Sequence, residues 1–237
     1  MATLVFDIET VGDDFEDLDE MTQETLTRWI KRESESGEGY TAALADLKEG
    51  LGFSPLTGQI VAIGIYDCER AKGAVYFQSS PKKKEENFEE EGFKFEVMEE
   101  KEMLQKFWEV ALKYDTFVSF NGRGFDVPYL MIRSAIHGIR PSKNLLANRY
   151  LNYQPGHSRH IDLLDQLSFY GALRRKGSLH LWCRAFGIES PKIQGVHGDN
   201  VKELFQKGMS RDIARYNARD LKATGSLYDH YERFLSF

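Results

Sequence analysis

Cysteine is scarce in this sequence: Cys68 and Cys183 are its only two in 237 residues, and no CxxC pair occurs. Structural zinc and a disulfide framework are therefore not expected, and a reducing cytoplasm is the expected setting. Long apolar runs are missing too. None approaches the ~18–20 residues that a membrane span requires, so no membrane partner is expected. No basic-then-apolar leader is expected either, since Met1 runs almost at once into LVFDIET. Positive charge is not in excess. The net charge of −6 is a poor match for a protein held on DNA by a broad basic face. Its distribution says more than its sum. Residues 1–118 hold 13 Lys and Arg against 27 Asp and Glu, a balance of −14, whereas residues 119–237 hold 18 against 10, a balance of +8. Any surface that tracks phosphates belongs to the C-terminal half. The bland alternative is an acidic insert that solvates one side of the fold.

What is present is an ordinary globular composition, 41% hydrophobic and 29% charged, at a length that suits one sizeable α/β core. Residues 3–6 read as a buried strand that ends in two carboxylates. An acidic run at residues 13–20 opens a helix reaching residues 28–32, a loop covers 34–39, and a short helix spans 41–49. Residues 59–66 and 73–78 suggest a hairpin beside the first strand. The charge-dense stretch 81–92 reads as an exposed loop. Apolar residues at 103, 104, 107, 108, 111 and 112 give helical periodicity over 99–113. Residues 116–120 form a further strand and 125–137 a helix with Pro128 in its first turn. Residues 161–164 are either a last strand or the lead-in to a helix through 170. Helices over 178–186, 200–206 and 210–231 complete the chain, with Ser210 as N-cap of the last. This order of elements predicts one mixed-sheet α/β domain.

Three short segments carry acids in arrangements that bear on chemistry. In Asp7-Ile8-Glu9 the two carboxylates share one face of a strand. Their repulsion and desolvation would be relieved by a divalent cation with a taste for hard oxygen ligands. A strand end emerging into water explains the same pair. In FNGRGFD (residues 120–126) a strand runs through a glycine-containing turn into a helix that begins near Asp126. An acid at a helix N-terminus is common without any function, and Asn121 either bonds a ribose or base or holds the turn. In YNARD (residues 216–220) Tyr216 and Asp220 lie one helical turn apart on the same face, a pairing that also arises by chance.

Taken in order, the three segments resemble the motifs of the DEDD (DnaQ-like) 3′–5′ exonuclease superfamily, of ribonuclease H-like fold, and in particular its Tyr-containing branch. FDIET is similar to the first motif, FNGRGFD to the second and YNARD to the third. Stand-alone exonucleases similar to the proofreading domain of family B DNA polymerases share further segments. These are a His-x-Asp-Leu run, here residues 160–163, a Ser-Leu helix start, here 178–179, and a loop entering a Val-containing helix, here 192–201. The resemblance spans residues 3 to about 231. It implies an α/β, ribonuclease H-like domain with a central mixed β-sheet flanked by helices. It also implies that Asp7, Glu9, Asp126 and Asp220 ligate two Mg²⁺ or Mn²⁺ ions, ~3.5–4 Å apart in such sites, and that Tyr216 orients the attacking water. A tyrosine with its ordinary pKa near ~10 is a poor base and a good positioner.

Relatives place fewer residues between the first motif and the next strand, so residues 13–58 are expected to form an acidic helical insert within a single domain of residues 1–237. Expected substrate contacts are Thr10, Asn121, Phe125, Asp162, Arg174 and Arg175. Asp162 either joins the metal or substrate site or caps the helix through 170. His157 and His160 are read as satisfying local hydrogen bonds. The run Arg174-Arg175-Lys176 is either a solvated turn or, beside a phosphodiester site, a contact to duplex or strand backbone, and Phe120 and Phe125 are read as core residues with a base-stacking option. The expectation is a nucleic-acid partner and a metal-dependent 3′–5′ exonuclease, with single-stranded DNA favoured over RNA. An RNA-trimming exoribonuclease and a catalytically weak binding module on the same fold are the alternatives.

Overall fold

The computed structural model describes residues 2–33, 37–190 and 198–236. A seven-stranded mixed sheet with the order β4-β5-β3-β2-β1-β6-β7 organises the chain. Inside the sheet, β1 (Thr3–Gly12) pairs antiparallel with β2 (Gly58–Asp67), the central strand, and parallel with β6 (Thr116–Ser119). Outside β2 lies β3 (Lys72–Phe77), antiparallel to it, and then the hairpin of β4 (Phe88–Glu90) and β5 (Phe93–Val97). Outside β6 lies β7 (Arg159–Asp162), in parallel register. The ribonuclease H-like α/β architecture expected from the sequence is what the chain adopts.

Alternation along β1 divides the core between the two sheet faces. Leu4, Phe6 and Ile8 point to one face, where α3 (Glu100–Ala111) brings Met103, Leu104, Phe107 and Trp108, and α4 (Asp126–Ile136) brings Val127 and Leu130. Val5 points to the other, packed with Ala62, Val75, Ala218, Leu221 and Leu227. The last three belong to α8 (Ser210–Phe234), which lies across β1, β2 and β3. Each fully buried Leu, Ile or Phe contributes roughly 1.5–3 kcal/mol, so covering both faces is what keeps β1 in register. The same alternation leaves Asp7 and Glu9 on the α8 face.

Between β1 and β2 the expected insert carries α1 (Glu20–Glu33) and α2 (Gly37–Gly50). The acidic run preceding α1 forms a short 3-10 turn, Phe15–Asp17, rather than the start of the helix. The loop expected over 34–39 falls partly on residues 34–36, outside the described residues. Residues 81–92 are not wholly a loop: β4 forms there and pairs with β5 through the left-handed residues Glu91 and Gly92, which suit a two-residue hairpin turn. After β7 comes α5 (Leu163–Leu167), so the open reading of residues 161–164 resolves into a strand followed by a helix. Then follow α6 (Leu179–Phe186) and α7 (Val201–Gln206), with residues 192–197 of the expected loop outside the described residues. The N-cap of α8 is Met209 and not Ser210. No helix among the described residues is long and apolar enough to cross a membrane.

Candidate active site

The acids of β1 meet Asp220 of α8 where the β1–β2 ladder is interrupted. A bulge between Glu9 and Thr10 leaves Val61 of β2 with no counterpart in the β1 register, a device common beside active sites. Just before it, Asp7 pairs with Gly64 across the ladder. A Cβ on Gly64 would sit 1.9 Å from Asn217 Oδ1 and 2.5 Å from Leu221 Cδ1. Only glycine therefore lets α8 lie close enough for the fully buried Asn217 to reach Asp7, where its Nδ2 donates to Oδ2 at 2.7 Å. Carboxylate oxygens of Asp7, Glu9 and Asp220 then lie within 4.8 Å of one another.

Asp126 lies beside this group, near enough for its charge to act on Asp7. It is the first residue of α4, is 3% exposed, and accepts from the Ile8 amide at 3.1 Å through Oδ1. The turn that delivers it is held from β7. Asp162, at the end of β7, accepts from the amides of Asn121 (3.0 Å) and Arg123 (2.9 Å), and also from Leu164 (3.0 Å) and Asp165 (3.4 Å) as N-cap of α5. Asn121 is in the left-handed region at φ 64°, and its carbonyl accepts from Gly124 and Phe125. The Asp162 side chain and the Asn121 backbone thus hold the turn. Of the two readings left open for Asp162, the carboxylate is engaged in the capping one and also ties two loops together.

Electrostatics distinguish this cluster from an ordinary strand end. Burial, then the charges of Asp126, Glu9 and Asp220, pushes the Asp7 carboxyl well above its usual range, against the opposing Asn217 hydrogen bond. Burial and Asp220 do the same to Glu9, which is 6% exposed. Asp126 is pushed up to about 7, chiefly by burial, with its own and the Ile8 amide bonds opposing. Gathering acids in this way is unfavourable unless protons or a cation share the site. The donors are carboxylate oxygens, with one neutral amide beside them and no thiolate or imidazole in the group, a set that fits a hard divalent cation.

A family model described as "Predicted 3'-5' exonuclease related to the exonuclease domain of PolB" matches residues 68–236, well over half of the sequence. The chain belongs to this family. The matched stretch includes Asp126, Tyr216 and Asp220 and begins after Asp7 and Glu9. A DNA polymerase of Methanocaldococcus jannaschii is 38% identical over 137 residues, 54% of this chain and 8% of that protein. The structure of the family B DNA polymerase from the hyperthermophilic archaeon Pyrobaculum calidifontis superimposes with a TM-score of 0.61 at 16% identity. That match covers 99% of this chain and 25% of the other. The exonuclease-family chain thus spans only a small part of either polymerase.

The remaining expected residues are distributed unevenly around the acids. Tyr216 is buried beside them; burial, then Asp220, Glu9 and Asp7, pushes its hydroxyl far up, so it stays protonated. The Thr10 hydroxyl donates to the Gly52 carbonyl at 2.8 Å, tying β1 to the end of the insert. Phe125 is half-buried and packs against Tyr129 and Phe53. Arg174 and Arg175 are not brought into the cluster. They are exposed on the segment beyond α5, after the left-handed Phe169 and Tyr170, and neither forms an ion pair among the described residues. By contrast, Arg211, Arg215 and Lys222 of α8 are paired with Glu85, Glu90 and Glu91. Acids of the N-terminal half therefore neutralise part of the C-terminal positive balance. His160 is fully enclosed: Nδ1 donates to the Leu145 carbonyl, Nε2 accepts from Ser119, and burial holds it down at about 3. Sequence reasoning missed Asn217, although it lies inside the YNARD motif, because its role depends on Gly64 of another strand.

Proposed function

We propose that this chain is a divalent-cation-dependent 3′–5′ exonuclease of the Tyr-containing DEDD type. It would remove nucleotides singly from single-stranded DNA and release nucleoside 5′-monophosphates. The observation that carries the reading is the convergence of Asp7, Glu9 and Asp220 oxygens within 4.8 Å, with the raised carboxyl of Asp126 beside them. The family match supports the same chemistry.

Asp7, Glu9, Asp126 and Asp220 would hold two Mg²⁺ or Mn²⁺ ions. When bound, the cations neutralise charge on the scissile phosphate and acidify a water nucleophile. The protein's own groups do the positioning. Asn217 fixes the Asp7 carboxylate through its 2.7 Å bond. Tyr216 keeps its proton and orients the attacking water by hydrogen bonding, without acting as a base. Water adds at phosphorus, the bond from phosphorus to the 3′ oxygen breaks, and that oxygen takes a proton to become the new 3′ end. The exposed Arg174 and Arg175 would contact the strand backbone away from the reacting bond.

Purified protein and an Asp7→Ala variant, incubated with 5′-labelled DNA and RNA and Mn²⁺, test the proposal. The expected result is a one-nucleotide ladder on DNA with the native chain, abolished by EDTA and by the substitution. A ladder on RNA alone would move the substrate to RNA. No ladder on either would leave a binding module.

A further inference from the structure

The loop joining the insert to β2 is anchored from several directions, yet it leaves its aromatic residue in solvent. In the 3-10 turn Leu51–Phe53, Leu51 is buried while Phe53 is 62% exposed. Gly52 lies against Gly12 so closely that a Cβ on either would come within 3 Å of the other's backbone nitrogen. The Gly52 carbonyl accepts from Thr10, the Leu51 carbonyl from the Thr57 hydroxyl, and the Thr57 carbonyl from the Asp13 amide. From α4, the Tyr129 hydroxyl donates to Ser54 O and the Arg133 guanidinium to Pro55 O. Exposed apolar side chains are common on a protein surface; Phe53 differs in being held out from so fixed a mount.

Its surroundings suggest a role. The Phe53 ring stands edge-on to Phe125 at 6.3 Å between centroids, and Phe125 directly precedes Asp126. Thr10, bonded to the residue before Phe53, directly follows Glu9. An aromatic pair, half of it supplied by the insert, is thus mounted on segments that adjoin Glu9 and Asp126 in the chain. Asp13, whose amide bonds to this loop at Thr57, disfavours phosphate beside it, whereas a nucleobase offers an uncharged π-face.

We infer that Phe53 stacks on the 3′-terminal nucleobase of the strand, making the insert part of the substrate site. The inference rests on the nuclease reading above and adds a residue to it. An oligonucleotide with 2-aminopurine at its 3′ end, held uncut with Ca²⁺ in place of Mg²⁺, reports the contact by fluorescence, and steady-state kinetics with Mg²⁺ report its effect. Native protein and Phe53→Trp should quench the terminal base and Phe53→Ala should not. The alanine variant should raise KM about 5-fold or more with kcat little changed. On an oligonucleotide with a 3′-terminal abasic nucleotide, native and alanine proteins should behave alike. Thermal melts should coincide, since the ring is exposed. The inference is overturned if Phe53→Ala quenches and cleaves like the native chain, or if it loses as much on abasic ends. A native chain that neither binds nor cuts any oligonucleotide would overturn the nuclease reading itself, whereas native cleavage with an indifferent Phe53 would overturn this inference alone.

Discussion

Gly64→Ala isolates the contact on which the site's geometry turns. The added methyl would stand 1.9 Å from Asn217 Oδ1, 2.5 Å from Leu221 Cδ1 and 3.0 Å from Asn217 Cγ. Neither neighbour can yield cheaply: both are fully buried, and the Asn217 amide is engaged with Asp7. Overpacking of this kind costs about 1–3 kcal/mol, which for a chain of this size lowers Tm by about 2–4 °C per kcal/mol. The separation of α8 from β1 must widen or Asn217 must rotate, and either change loosens Asp7. Gly64→Ala is therefore expected to lower both Tm and nuclease activity. Asn217→Ala alone should also lower activity. Combining the two should recover stability relative to the sum of the singles, because truncating Asn217 opens space for the methyl, while activity stays low. Differential scanning fluorimetry and a cleavage assay on the three variants measure the coupling. Strict additivity in Tm, or a Gly64→Ala protein as active as the native chain, would refute the reasoning.

Other outcomes follow from the same geometry. Burial raises Asp126 to about 7, so in the metal-free protein its contribution to stability is full below about pH 4 and is lost as pH rises through 7. Melts in EDTA should accordingly show Asp126→Asn gaining on the native chain between pH 4 and 8, with the gap narrowing when Mn²⁺ is added; a pH-independent gap would contradict this. Tyr216→Phe should lower kcat by up to about 100-fold through misplaced water while leaving Mn²⁺ affinity unchanged, as kinetics paired with calorimetry would report. Asp162→Ala deprives four backbone amides of their acceptor and should cost about 2 kcal/mol or more in urea unfolding, with unaltered stability as the contrary result.

Much of this arrangement was legible in the sequence because it is written in local patterns. Alternation in LVFDIET announces a strand with two acids on one face, and the spacing in YNARD puts Tyr216 and Asp220 on one side of a helix. The β4–β5 hairpin was hidden by its own charges. Phe88, Phe93 and Phe95 alternate with glutamates and a lysine, and only the stacking of Phe88 on Phe95 at 4.2 Å identifies their shared face. Asn217 and Asp162 were obscure for a different reason. What each does depends on a distant glycine or on amides 39 and 41 residues away, which spacing alone cannot reveal. Phe53 belongs with them, since its proximity to Phe125 exists only in the folded chain.

Calorimetric titration of the native chain and an Asp7→Asn variant with Mn²⁺ at neutral pH tests the central claim most directly. The account predicts saturable binding of about two ions per native chain with release of protons. The variant should bind fewer ions or bind them much more weakly. Absence of Mn²⁺ binding, or binding indifferent to Asp7, would contradict it.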